Sequence, residues 1–191
     1  KKVELITTAH NGPSGIAAER LHEAECQSNF CEMHTPLEEN AARVEAERCY
    51  FCFDAPCTEA CPTGIDIPGF IRMIANDNAV GAAGLILEEN IMGWTCARAC
   101  PVETLCEGVC VRNHGDDRPV TIGLLQRFAV DEAIQEGTEF FSRSEQTGKS
   151  IGVVGAGPAG LSCAHRLSVL GHDVVVYEAR AKSGGLNEYG L

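Results

Sequence analysis

The chain has 191 residues, 45% of them hydrophobic, with 15 Lys and Arg against 27 Asp and Glu and a net charge of −12. That composition excludes wholesale disorder and leaves room for one ordinary domain, or a small domain and part of another. The acidic balance argues against nucleic acid as a partner, and the longest apolar run, Ala79–Leu87, is far short of the ~20 residues that cross a bilayer.

The chain is expected to be a fragment, because it starts at Lys1 rather than Met and ends at Leu191 soon after a nucleotide-binding signature that needs a larger sheet. Residues 1–34 show weak periodicity around the turn-rich Asn11-Gly12-Pro13-Ser14-Gly15 and read as an N-terminal arm. Thr35-Pro36-Leu37-Glu38 has the form of a capping box, predicting a helix that runs to about Arg48. A first cysteine group follows. Pro68–Ile74 and Asn78–Glu89 then have apolar residues at helical spacing. After a second cysteine group, Thr121–Gln135 reads as a helix with Ile122, Gln126, Ala129 and Ala133 on one face. Gln126 is a polar residue on an apolar stripe, which is costly unless its amide has a partner. Gln146–Lys149 reads as a linker. Beyond it come a β-branched run (Ser150–Val154), a helix with Ala164, Leu167 and Leu170 inward, and a second strand (Val174–Tyr177).

Eleven cysteines demand an account. An odd number in a chain of this length speaks against a disulfide scaffold and for thiolate ligands in a reducing compartment, hence a cytoplasmic protein. The first group is Cys49-x2-Cys52-x4-Cys57-x3-Cys61-Pro62, and the second is Cys96-x3-Cys100-Pro101-x4-Cys106-x3-Cys110. Three close thiolates reach three corners of a 4Fe–4S cubane, while a cysteine before proline commonly ligates a neighbouring cluster. The second group has no C-x2-C pair, so the spacing points to exchange of ligands between the groups. Zinc is the alternative, but its sites usually carry a C-x2-C knuckle at both ends. Cys163 is expected to be a small buried residue; Cys26 and Cys31 are either a redox pair, a further metal site or two plain thiols.

Gly155-Ala156-Gly157-Pro158-Ala159-Gly160 lies between a strand and a helix, with Glu178 closing the next strand. This is the setting of a dinucleotide-binding turn. The helix start offers N–H groups and a positive dipole end to a pyrophosphate. A carboxylate at 178 suits an unphosphorylated adenosine ribose, favouring FAD or NAD over NADP. Ser183-Gly184-Gly185-Leu186 tips the choice to FAD.

Taken together, residues 35–191 resemble the N-terminal electron-input portion of dihydropyrimidine dehydrogenase and of its bacterial flavin subunit. The carrying stretches are Cys52–Cys57, Asp66–Ala75, Cys106–Cys110 and Thr121–Ala129. The architecture is shared with the small subunit of NADPH-dependent glutamate synthase. The resemblance implies a mainly α-helical domain with two 4Fe–4S clusters over 35–145, then the start of an α/β Rossmann-type FAD-binding domain over 146–191. It implies one cluster on Cys49, Cys52, Cys57 and Cys110, and a second on Cys61, Cys100, Cys106 and Gln126. Cys96 becomes a non-ligand. It further implies FAD contacts from Gly155–Ala159, Glu178 and Leu186, with Ala99 close by in the cluster domain. The implied function is electron input to an NAD(P)H-dependent oxidoreductase, with electrons passing to an FMN-containing catalytic subunit or domain. No residue here is a catalytic acid or base. The rival readings are a glutamate synthase small subunit, a bifurcating ferredoxin:NADP oxidoreductase subunit, and a non-catalytic metal-binding scaffold.

Overall fold

The computed structural model describes residues 34–115 and 118–190, together with His22 and Ala24. The expected N-terminal arm, with Cys26 and Cys31, otherwise lies outside the described residues.

The order of elements is α1 (Glu39–Glu47), α2 (Pro56–Glu59), α3 (Ile67–Ala75), α4 (Ala79–Glu89), α5 (Gly93–Ala99), α6 (Ile122–Glu136), β1 (Ser150–Val154), α7 (Pro158–Val169), β2 (Asp173–Tyr177) and α8 (Leu186–Tyr189). Short 3-10 turns at Val102–Thr104 and Val111–His114 carry the chain through the second cysteine group. The fold is therefore mostly helical, followed by the start of a Rossmann unit, as expected.

Local chemistry explains the boundaries. Asp66 accepts the Gly69 N–H at 3.0 Å and starts α3; Asn78 accepts the Gly81 N–H at 2.8 Å and starts α4. Gly137, at φ 67°, ends α6 in the left-handed region where glycine is most at ease. One expectation fails here. Thr35 and Pro36 lie outside α1, whose N-cap is Glu38 with no side-chain cap bond. Leu37 is buried at 8% exposure, so this segment runs extended to plug the core instead of starting the helix.

The core lies where α3, α4 and α6 meet, around Phe70, Ile71, Ile86, Leu125, Ala129 and Val130. Ala82 and Ala83 of α4 have no exposed surface, and their small side chains let the helices approach closely. Cys49, Cys57, Cys61 and Cys110 back onto this core, so hydrophobic packing sets where the thiols stand.

Glu45, fully buried on α1, ties the chain together across long range. Its Oε1 receives Arg48 Nη1 at 2.6 Å and the Thr121 N–H at 2.9 Å. Arg48 also donates to the carbonyls of Pro119 and Arg118, each at 3.0 Å. The end of α1 and the start of α6 are thereby locked together.

In the second unit β1 and β2 pair in parallel, Ser150 opposite Asp173 through Val154 opposite Tyr177. The segment before β1 is held down as well: Ser144 N–H donates to Val169 O and Thr147 N–H to Gly171 O. On α7 only Ala164 is buried. Leu170, expected inward, is 47% exposed at the helix C-cap, and Cys163, expected buried, is exposed.

Glu45→Ala should strand the buried Arg48 cation and free the Thr121 N–H. A loss of about 3–5 kcal/mol is expected for breaking a buried pair, read as an earlier midpoint in denaturant titration; an unchanged midpoint would contradict the role given to Glu45.

Candidate functional site

The two cysteine groups do not form one pocket each. Cys49, Cys52 and Cys57 share a cavity with Cys110, from the far end of the second group. Cys61, the last of the first group, faces a second cavity with Cys96, Cys100, Cys106 and Gln126. The groups are interlaced.

Local structure explains how. Phe51 and Ala55 adopt left-handed backbone conformations, at φ 51° and 37°, which fold the 49–57 loop back on itself. The Phe51 N–H then reaches Cys49 Sγ at 3.4 Å. The one-turn helix α2 carries Cys57 to the first cavity and ends before Cys61, which faces the second. On the far side Arg112 donates from Nε to the Arg48 carbonyl at 2.6 Å, bringing Cys110 against Cys49.

In the second cavity Gln126 has a defined orientation. Its Nε2 donates to the Gly93 carbonyl at 2.7 Å, which commits the nitrogen and leaves the amide oxygen as the available donor atom. This answers the cost of a polar residue on that helix face. Three neighbours that spacing alone does not reveal also shape the site. Glu107 accepts the Gly123 N–H at 2.9 Å and fastens the second cysteine group to the first turn of α6. Asn90 donates to Cys96 Sγ at 3.1 Å, and Thr63 Oγ1 lies 3.4 Å from Cys61 Sγ. Only Thr63, in the Cys-Pro-Thr-Gly turn, carries a local sequence signal that could have found it.

The thiols are largely shielded from water. Burial pushes Cys106 up to about 12, with Glu107 adding to it, and Cys57 up to about 11, with Cys49 adding to it. Burial likewise raises Cys49 and Cys100. Burial would also raise Cys61, but the Thr63 hydroxyl and the N–H groups of Ile65, Thr63 and Gly64 outweigh it and bring the thiol below its ordinary value. Such thiols bind metal as thiolates and give up protons when they do.

The sulfurs ring cavities, an arrangement that suits a polynuclear centre better than a tetrahedral zinc.

The nucleotide turn is built as its sequence suggests. Gly155 has φ 98°. A Cβ on Gly160 would lie 1.9 Å from the Gly155 carbonyl oxygen, so only glycine permits this closure. A Cβ on Gly157 would meet nothing nearer than 3.9 Å, which leaves that side open to a phosphate. Pro158 and Ala159 open α7, whose first N–H groups have no partner within the helix. Glu178 accepts the Ala156 N–H at 2.8 Å and the Arg180 N–H at 2.9 Å, and these bonds, Ala156 first, hold its carboxyl below the usual range. It therefore braces the glycine turn from the position where it would meet a ribose. Gly184 N–H donates to Ala156 O at 2.7 Å, so the Gly184-Gly185 turn packs on the glycine loop.

Leu186 is exposed at the start of α8, and Ala99 is exposed beside Cys100. The two units touch at this point. Asn187 donates to Thr95 Oγ1 at 3.4 Å and to Met92 Sδ at 3.7 Å, placing α8 against the helix that carries Cys96 and Ala99.

Two outcomes are expected. In chain stripped of iron by chelation, Cys49, Cys57, Cys100 and Cys106 have folded values above the ordinary thiol, with Cys61 running the other way. The contribution of the four raised thiols to folding is complete below about pH 9 and is lost as pH rises towards the folded values. The denaturation midpoint of stripped chain should thus fall between about pH 8 and about pH 10.5; a rising midpoint would be inconsistent with buried thiols. Separately, Gly160→Ala should displace the turn and abolish nucleotide retention, measured as bound nucleotide per chain, while leaving the helical unit's circular dichroism in place.

Comparison with known proteins agrees with this geometry. Residues 26–138 match the family described as dihydropyrimidine dehydrogenase domain II, 4Fe–4S cluster, and residues 153–187 match an NAD(P)-binding Rossmann-like domain. The chain is 42% identical over 166 residues to the NAD-dependent dihydropyrimidine dehydrogenase subunit PreT of Escherichia coli K12, covering 86% of this chain and 40% of that protein. The PreT subunit of Salmonella typhimurium is 41% identical over the same shares. The glutamate synthase [NADPH] small chain of Escherichia coli K12 is 36% identical over 85% of this chain and 34% of that protein. The chain thus spans about two fifths or less of the length of these relatives. With a matched segment that contains both cysteine groups and α6, the chain belongs to the dihydropyrimidine dehydrogenase domain II 4Fe–4S family.

Proposed function

We propose that this chain is the electron-input part of a cytoplasmic NAD(P)H-dependent oxidoreductase of the dihydropyrimidine dehydrogenase type, holding two 4Fe–4S clusters and FAD. The observation that carries the reading is the pair of interlaced cysteine cavities in the helical unit, which the nucleotide-turn unit touches where Asn187 of α8 donates to Thr95 and Met92.

Cys49, Cys52, Cys57 and Cys110 would hold one cluster; Cys61, Cys100, Cys106 and the Gln126 oxygen would hold the other. Gly155–Gly160 would cradle the FAD pyrophosphate, with Glu178 at the ribose and Leu186 and Ala99 near the isoalloxazine. When bound, these groups supply the redox chemistry, hydride uptake by the flavin and one-electron relay by the clusters. The residues bind, orient and exclude water. Core helices α3 and α6 keep the two thiol sets at fixed separation, and burial of Cys106 keeps solvent from its site. Among the described residues no helix is long and apolar enough to cross a membrane. The electrons would leave to an FMN-containing catalytic subunit or domain, and the nicotinamide would bind outside these residues.

A second reading, a glutamate synthase small chain, is favoured by the 36% identity to that protein. The test is anaerobic purification of the intact protein with its partner. About eight iron and eight sulfide per chain are expected, with bound FAD and reduction of an artificial acceptor by NAD(P)H. Turnover with uracil or thymine supports the first reading, and turnover with glutamine and 2-oxoglutarate the second. A colourless, flavin-free protein would refute both.

A further inference from the structure

The second cavity offers one donor more than a cubane uses. Cys61, Cys96, Cys100, Cys106 and Gln126 all line it, whereas one 4Fe–4S cluster takes four ligands. Cys96 lies on α5 one turn before Cys100, whose N–H donates to the Cys96 carbonyl at 3.0 Å. Its sulfur is not an idle bystander. Asn90, only 9% exposed, donates to it from Nδ2 at 3.1 Å, and Asn90 is itself oriented by the Met92 N–H on its Oδ1 at 2.9 Å. The Asn90 contact fixes where the Cys96 sulfur stands, on the wall of the cavity.

The rival donor is tied to the same helix. Gln126 is anchored through Nε2 to the carbonyl of Gly93, which lies one turn before Cys96. A Cβ on Gly93 would lie 2.6 Å from the Ile86 side chain, so α5 packs tightly at this anchor. Both candidate donors therefore face one cavity from elements whose spacing is set by Gly93.

We propose that Cys96 is the alternative fourth ligand of this site, taking the iron that Gln126 holds whenever the amide oxygen withdraws. The inference rests on reading the cavity as a 4Fe–4S site. In the exchange the bond from iron to the neutral amide oxygen breaks, a bond from iron to Cys96 Sγ forms, and the thiol proton passes to solvent. Thr63 and Asn90 line both this cavity and a polar cleft with Ser162 and His165, which gives that proton a way out. No electron moves. The site gains one negative charge, which disfavours reduction and lowers the potential. One relay position would thus have two settings.

The test uses the intact protein, purified anaerobically, with Gln126→Leu, Cys96→Ala and the double variant. Iron and sulfide per chain, the EPR signals of reduced protein and a redox titration are the readouts. Gln126→Leu should keep its full iron, with one cluster shifted to lower potential and an altered signal. Cys96→Ala should keep full iron and an unaltered signal. The double variant should lose about half its iron and sulfide while retaining the other cluster's signal, which shows that it has folded. Anaerobic alkylation followed by mass spectrometry gives a readout independent of the double variant: labelling of Cys96 should drop in Gln126→Leu relative to wild type. Loss of half the iron in Gln126→Leu alone, full iron in the double variant, or undiminished Cys96 labelling would each overturn the proposal. Wild-type protein lacking iron would instead refute the cluster reading itself.

Discussion

A single buried carboxylate organises the cluster-bearing unit. Glu45 receives Arg48 and the Thr121 N–H on the same oxygen, while Arg48 reaches the Arg118 and Pro119 carbonyls and accepts Arg112 at its own carbonyl. The end of α1 thereby meets two segments far along the chain, the turn after Cys110 and the start of α6. Buried ion pairs are a poor source of stability, because desolvation offsets most of the Coulombic gain. Their directionality is another matter. Here the pair fixes where α1 delivers Cys49, where the turn after Cys110 lies, and where α6 begins its run to Gln126.

Hydrogen bonds of this kind explain what was and was not readable in the chain. The short-range signals were legible: α3, α4 and α6 from their apolar spacing, β1 to the residue, and the glycine turn with its acidic closing residue. The α1 start was misread because burial of Leu37 overrode a good capping pattern. Helices α2 and α5 were missed because each is too short to show a period. Which thiols share a cavity was not contained in spacing alone. It came from the resemblance, and its physical basis is the long-range set of Arg48, Arg112 and Glu107 bonds, which no local pattern announces.

The nucleotide turn is held by a different device. Glu178, which closes β2, holds the Ala156 N–H. The Gly184-Gly185 turn closes on Ala156 from its carbonyl side. Ala156 is therefore clamped through both of its peptide groups, and the phosphate-facing side of Gly157 stays open. Rigidity and access are met by neighbouring residues, which suits a site that must hold a large cofactor in one orientation.

The interlaced cavities also set an order of biogenesis. During synthesis Cys49, Cys52 and Cys57 leave the ribosome well before Cys110, which completes their cavity, and Cys61 waits still longer for Gln126. Neither pocket has all its walls until the chain has reached α6. A nascent chain therefore presents partial sets of thiols before either cavity has closed around them.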